Sequence, residues 1–575
     1  MVASSLLLLP ATLLVLASAS RSSTCVHSSF VAATLGQTVT EPPANSTSPL
    51  RRGLQIGASH PLVVTPLFQY DYMPLTSTFT AAKRDWLVGK LVPAAIRDWS
   101  TLLSAPGASP PTVLQAHRSC AYVWTGTATL QCSSYEASTL CAAGFDPISL
   151  PLDGYMGEDT VYPSKDSAQT LPATGGVPGT DYAMFVTAQD TSICTRSGGG
   201  DVLAYAQSCQ RDASDRPTFG RINFCPAALD TSPDDWHFQL SVAMHEMAHA
   251  LGFTDSSFPL FRAPDGTPRT PRWDYDPTQP ALRFQVAYTC GGYNYVYPSA
   301  DPATIAFFPE RGTPCVSGAT PSASFLPYVD GATHKADCVA RSTSPAMAAA
   351  ARAYHGCASL PGPEMDHLDG DCALYGSHWG GRALMQELMA PYVSHWPLLG
   401  PLTLAFFDDS GWYKANYAGS AGAALRPGDW GFQRGCSFAR DKCSAGNAGS
   451  PPAWFMGGAS LGTNTNDAVC TTDGRAIGYS ETNSYSSVPL PYQVRALAAP
   501  ALPFPPTPRP YPPHARALAV LYGPQQGRPQ RLRLLPRGAG LRGRAVQPDH
   551  GLPAHRVRRD AGAHLAVLPL HAQRD

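Results

Sequence analysis

His245-Glu246-Met247-Ala248-His249 places two imidazoles and a carboxylate within five consecutive residues. On a helix, residues i and i+4 share one face, so both rings can grip one metal ion from the same side. Zn²⁺ held there lowers the pKa of water towards roughly 7 and polarises a carbonyl. Glu246, next to the first histidine, can take the proton from that water and pass it to a leaving amine. The implied chemistry is hydrolysis of an amide. Two histidines leave such a site incomplete, because a catalytic zinc site uses three protein ligands and an open position. His334, His355, His367, His378 and His395 are the candidates for the third ligand. Spacing alone does not choose among them.

The elements that must position these residues are legible around the motif. Ser232-Pro233-Asp234-Asp235 offers an N-cap serine, a proline at the first helical position and two acids at the positive end of the dipole. A helix over Trp236–Leu251 is expected, stopping at Gly252, where glycine most easily turns left-handed. Three apolar runs precede it, Tyr182–Thr187, Val202–Ala206 and Gly220–Phe224, each bounded by turn formers as strands are. An earlier helix is expected over about 80–104, capped by Thr80, with Leu87, Leu91, Ala95 and Leu102 on its apolar face and a kink at Pro93. Later helices are expected at Pro345–Tyr354 and at about Leu398–Ser410, the second ending at Gly411. Residues 105–180, with Cys120, Cys132 and Cys141, read as loops stapled by disulfides.

The whole chain has 575 residues and a formal net charge of −1, which gives no reason to expect a nucleic-acid or anionic-membrane partner. Its 56 prolines and 50 glycines demand many loops. The start, with an apolar core from Leu6 to Leu16 followed by Ala17, Ser18 and Ala19, reads as a secretory signal peptide. No later stretch reaches the roughly 18–20 apolar residues that a membrane span needs. Fifteen cysteines, none in C-x-x-C spacing, then read as a disulfide framework made in an oxidising compartment, with an odd thiol left over. Asn45-Ser46-Thr47 is a glycosylation sequon, and Arg51-Arg52 is a candidate processing site. Residues after Gln493 lack cysteine, lysine and glutamate. Their Pro/Arg-rich composition reads as a low-complexity tail or as a gene-model artefact, a translated wrong frame.

Gly252 follows the second histidine where metzincin peptidases turn sharply towards a third ligand. Their short motif would place that histidine at position 255, which here is Asp255. The longer stretch HEMAHALGF (245–253) resembles leishmanolysin-type metallopeptidases, in which an inserted domain separates the glycine from the third histidine. GDVLAYAQSCQ (200–210) and GRINFCP (220–226) resemble the family's strands before the helix. GSHWGGRALMQELMAP (376–391) resembles its third-ligand and Met-turn segment. The resemblance implies that His378 is the third ligand beside His245 and His249, that Glu246 is the base and that Met389 is the Met-turn methionine. It also implies a disulfide between Cys357 and Cys436, one Zn²⁺ per chain, and a pro-segment thiol, Cys25, able to occupy the open zinc position.

The expectation is therefore an α+β protein: a metzincin-type zincin catalytic domain of mixed sheet and active-site helix, with an inserted disulfide-rich region and a C-terminal subdomain. Its expected parts are a signal peptide (1–19), a pro-segment or linker (20–60), an N-terminal catalytic subdomain (61–253), an inserted central region (254–375), a third-ligand and C-terminal subdomain (376–492) and the tail (493–575). The expected activity is that of a secreted zinc endopeptidase acting on extracellular or cell-surface proteins or peptides. The alternative is a catalytically silent adhesion glycoprotein on the same scaffold. A silent relative would be expected to lose Glu246 or a ligand, and this sequence keeps them all. Membrane anchoring would require a different C-terminus.

Overall fold

A computed structural model describes residues 58–441, apart from 125–130, 142–147, 195–201, 271–284, 291–292, 299, 311–327, 331–334, 337, 367–374, 392–396, 420–424 and 426–428. Beyond residue 441 it describes a few short strands only. The signal peptide, Cys25 and nearly all of the tail therefore lie outside the described residues.

The architecture is α+β. A four-stranded sheet forms its centre, built from β1 (Val64–Phe68), β2 (Tyr182–Thr187), β3 (Ala204–Arg211) and β4 (Pro217–Phe224), in the order β3-β4-β2-β1. β1, β2 and β4 run parallel, and β3 closes one edge antiparallel to β4. Side chains alternate across a strand. Tyr182, Met184 and Val186 of β2 face the helices, and Ala183 and Phe185 face the opposite layer. Both faces are covered, which is why β2 is a continuous apolar run. The two later strands are longer than their apolar runs suggested, because Gln207, Gln210 and Arg211 of β3 and Thr218 of β4 are buried within the sheet rather than ending it.

The layer opposite the helices is not loop alone. It contains strand pairs, such as Asp159–Ser164 with Ser167–Leu171, and an apolar cluster of Leu114, Ile148, Leu150, Leu152 and Met156 under the sheet. Disulfides Cys120–Cys132 and Cys141–Cys209 tie it down, the second directly to β3, while Cys194–Cys225 joins the segments that follow β2 and β4 on the helical side.

On the helical face, α1 (Ala81–Trp86) begins at Thr80, whose hydroxyl accepts the Lys83 N–H. A π-helical turn, Leu87–Leu91, leads into α2 (Val92–Leu102). Pro93 has no N–H to give to the preceding turn, and the wider turn absorbs that loss. α3 (Trp236–Ala250) packs against α2 and against β3 and β4, and the indole of Trp99 donates to the Met244 carbonyl at 3.1 Å. Its start differs from the expected one. Ser232 does not cap it; residues 233–235 form a turn, and Asp235 occupies the N-cap without a side-chain bond. The same core continues into α4 (Pro345–His355) and α5 (Pro401–Ser410), which end at Gly356 and Gly411 with φ of +67° and +75°. A last short helix, α6 (Gly435–Arg440), is joined to the end of α4 by the Cys357–Cys436 disulfide.

Candidate metal centre

The end of α3 is fixed before any ligand is considered. The last carbonyls of a helix lack partners within it. Here Phe253 N–H returns to the Ala248 carbonyl and Gly252 N–H to that of His249, the paired bonds of a Schellman turn. Gly252 has φ +116°, and a Cβ on it would stand 3.1 Å from both Pro217 and the Trp412 ring. The two remaining carbonyls take phenols: Tyr182 donates to Ala250 at 2.7 Å and Tyr413 to Leu251 at 3.2 Å. Burial pushes both phenols up, so they stay donors.

This turn also returns the Phe253 carbonyl to the ring of His249, 2.7 Å from Nδ1. One turn earlier on α3, His245 Nδ1 lies 2.6 Å from the Leu388 carbonyl. A carbonyl can only accept, so each Nδ1 carries the proton and each Nε2 presents a lone pair. The two Nε2 atoms face each other at 3.1 Å. Two lone pairs at that distance repel unless a cation stands between them.

His378 completes the group. Ligand atoms of His245, His249 and His378 all lie within 4.8 Å of one another, and all three residues are buried. His378 Nδ1 meets Asp366 Oδ2 at 3.1 Å, while its Nε2 is buried with no hydrogen-bond partner. Among the described residues this is the one cluster of at least three metal-binding side chains. Burial, followed by the neighbouring His378 ring, lowers the His245 pKa to about 3, leaving the imidazole neutral as a ligand must be. Three buried nitrogen donors, one of them an orphaned atom, fit a zinc ion. Two ligands at about 2.0–2.1 Å in a tetrahedron stand roughly 3.3 Å apart, close to the spacing seen.

The loop bearing His378 is tied by main chain to the segment that holds the His245 ring. Trp379 N–H donates to the Met389 carbonyl at 2.8 Å, next to the Leu388 carbonyl that holds His245. Met389 itself is fully buried. Glu246 is buried beside His245. Asp255, at the position where the short motif has its third histidine, grips the loop instead. Its N–H and its Oδ1 each lie 3.1 Å from the Ser377 hydroxyl.

Of the other candidates, His355 sits elsewhere, its Nδ1 3.0 Å from the Gly431 carbonyl. His334, His367, His395 and Cys25 lie outside the described residues. Sequence reasoning missed Asp366, the Leu388 carbonyl and the Asp255–Ser377 link. Only the aspartate twelve positions before His378 left a trace, and no spacing rule marks it.

The leishmanolysin family profile matches residues 161–269 and 323–502, about half of the chain. The gap falls inside the expected central insertion. A leishmanolysin-like peptidase of Caenorhabditis elegans is 29% identical over 412 residues, covering 70% of this chain and 53% of that protein. One from Drosophila melanogaster is 30% identical over 269 residues, covering 47% of this chain and 34% of its own. Leishmanolysin of Leishmania donovani is 28% identical over 320 residues, covering 55% and 40%. The chain thus spans about half or less of the length of these curated relatives. The two matched segments are the ones that meet at the three histidines, one bringing α3 and the other the loop of His378, and on this ground the chain belongs to the leishmanolysin family of peptidases.

Proposed function

We propose that the chain is a zinc-dependent endopeptidase in which His245, His249 and His378 hold one Zn²⁺ and Glu246 is the general base. The observation that carries this reading is the convergence of three buried histidine nitrogens, with every Nδ1 tied to an acceptor. When bound, zinc supplies Lewis acidity towards a water and a scissile carbonyl. The rest of the work falls to the chain. Glu246 lies one residue from His245 and is not needed as a ligand, so its carboxylate takes the water proton and delivers it to the departing amine. Met389 is the Met-turn residue, a reading supported by its burial and by the main-chain bonds on either side of it. A mostly apolar recess lined by Leu240, Met244, Leu388, Pro397 and Leu399, with His237 and Ser241 beside them, can take a substrate side chain.

The substrates are proteins or peptides outside the cell. Secretion is supported by the apolar N-terminal run and by disulfides of a kind that persists in oxidising compartments. No described helix is long and apolar enough to cross a membrane. Cys25 is proposed to block the open zinc position before the pro-segment is removed.

The test is metal content and casein hydrolysis by the purified protein beside Glu246→Ala. The variant should keep its zinc and lose roughly two to four orders of magnitude in rate. Undiminished hydrolysis by the variant would overturn the mechanism, and a wild-type protein that takes up no zinc would overturn the whole reading.

A further inference from the structure

We infer that Asp366 is the positioning residue of the third ligand, holding the His378 ring in one tautomer and orientation so that Nε2 faces the ion. The inference rests on the zinc reading above. Asp366 is buried and contacts His378 in three ways. Its Oδ2 lies 3.1 Å from Nδ1, its Oδ1 accepts the His378 backbone N–H at 3.1 Å, and its own N–H donates to the His378 carbonyl at 3.0 Å. Room for the carboxylate comes from Gly376, whose N–H donates to the Asp366 carbonyl at 2.9 Å. A Cβ at Gly376 would overlap the carboxylate group.

The chemistry differs from that at the other two rings. His245 and His249 donate to neutral carbonyls. His378 alone of the three donates to a carboxylate, which makes Nε2 a stronger donor to a metal and fixes the proton on Nδ1. It also has the most need of such a partner. It stands on a loop, and no helix sets its direction.

The experiment measures the zinc dissociation constant by competition with a chromophoric chelator for wild type, Asp366→Asn and Asp366→Ala. Nitrogen NMR of ¹⁵N-histidine-labelled, metal-free protein is recorded alongside. Losing such a partner typically costs 10–100-fold in metal affinity, and Asp366→Ala should fall in that range. Asp366→Asn keeps the shape but turns an amide donor towards a donor, so it should also weaken zinc, by about tenfold. The His378 nitrogen shifts should report a single Nδ1–H tautomer in wild type and a mixture in Asp366→Ala. If Asp366→Ala does not fold, the isosteric Asp366→Asn carries the test. Equal zinc affinity and an unchanged His378 tautomer in a folded variant would overturn the inference while leaving the zinc reading intact. Absence of zinc binding by wild type would overturn both.

Discussion

His245 and His249 project from one helix whose C-terminal end is pinned by its own turn and by two phenols, whereas His378 is delivered by a loop after a long excursion of the chain. On the helix, the ring partners are backbone carbonyls, Leu388 and Phe253, and the carbonyls left at the helix end are taken by Tyr182 and Tyr413. On the loop, two aspartates, Asp255 and Asp366, do the holding. A helix fixes direction through its own hydrogen-bonded backbone, so its histidines need only a carbonyl to choose the tautomer. A loop lacks that framework, and charged side chains replace it.

The comparison can be broken most directly at the ligands. His249→Ala and His378→Ala should each lower zinc affinity by more than the 10–100-fold typical of a lost supporting partner, whereas His355→Ala should leave it unchanged. Metal analysis after dialysis reads this out. Stoichiometric zinc in His378→Ala would show that the loop half is not part of the centre.

A smaller effect should separate backbone control from side-chain control. Gly252→Ala forces a Cβ against Pro217 and Trp412 at a φ of +116°. It should cost about 1–3 kcal/mol in denaturant unfolding. A neutral result would mean that the turn after α3 is not what secures the helix half.

The smallest effect is a slope. Burial, followed by Arg341 and Arg382, lowers the His355 pKa from the ordinary 6.5 to about 3. A histidine kept neutral in the fold contributes stability above pH 6.5 and loses it as the pH falls towards 3. In urea titrations between pH 7 and 5, wild type should therefore weaken faster than His355→Gln, by at most about 1.4 kcal/mol per pH unit. Parallel slopes would show that this region, remote from the centre, does not contribute to acid sensitivity.

The helix half was also the half that could be read from sequence. Gly252 marked the end of α3, and the apolar run at Tyr182–Thr187 marked β2 to the residue. The N-cap was misplaced because Ser232-Pro233 makes a turn that mimics a helix start. The layer of residues 105–180 read as loop because its strands are short and interrupted by turns. Among the histidines, only resemblance singled out His378. The bonds that hold it join residues 12 and 122 positions apart, and local pattern carries no record of such contacts.

The bond between Asp255 and Ser377 has a consequence for how freely the intervening chain can change. Those residues bracket a closed loop, pinned where the chain leaves α3 and where it returns with His378. For a flexible loop, the entropy of closure grows with the logarithm of its length, and doubling the length costs only about 0.6 kcal/mol. Stretches of the segment that carry neither α4, nor Cys357, nor Asp366 can therefore gain or lose residues at small entropic cost while the geometry at its neck stays the same.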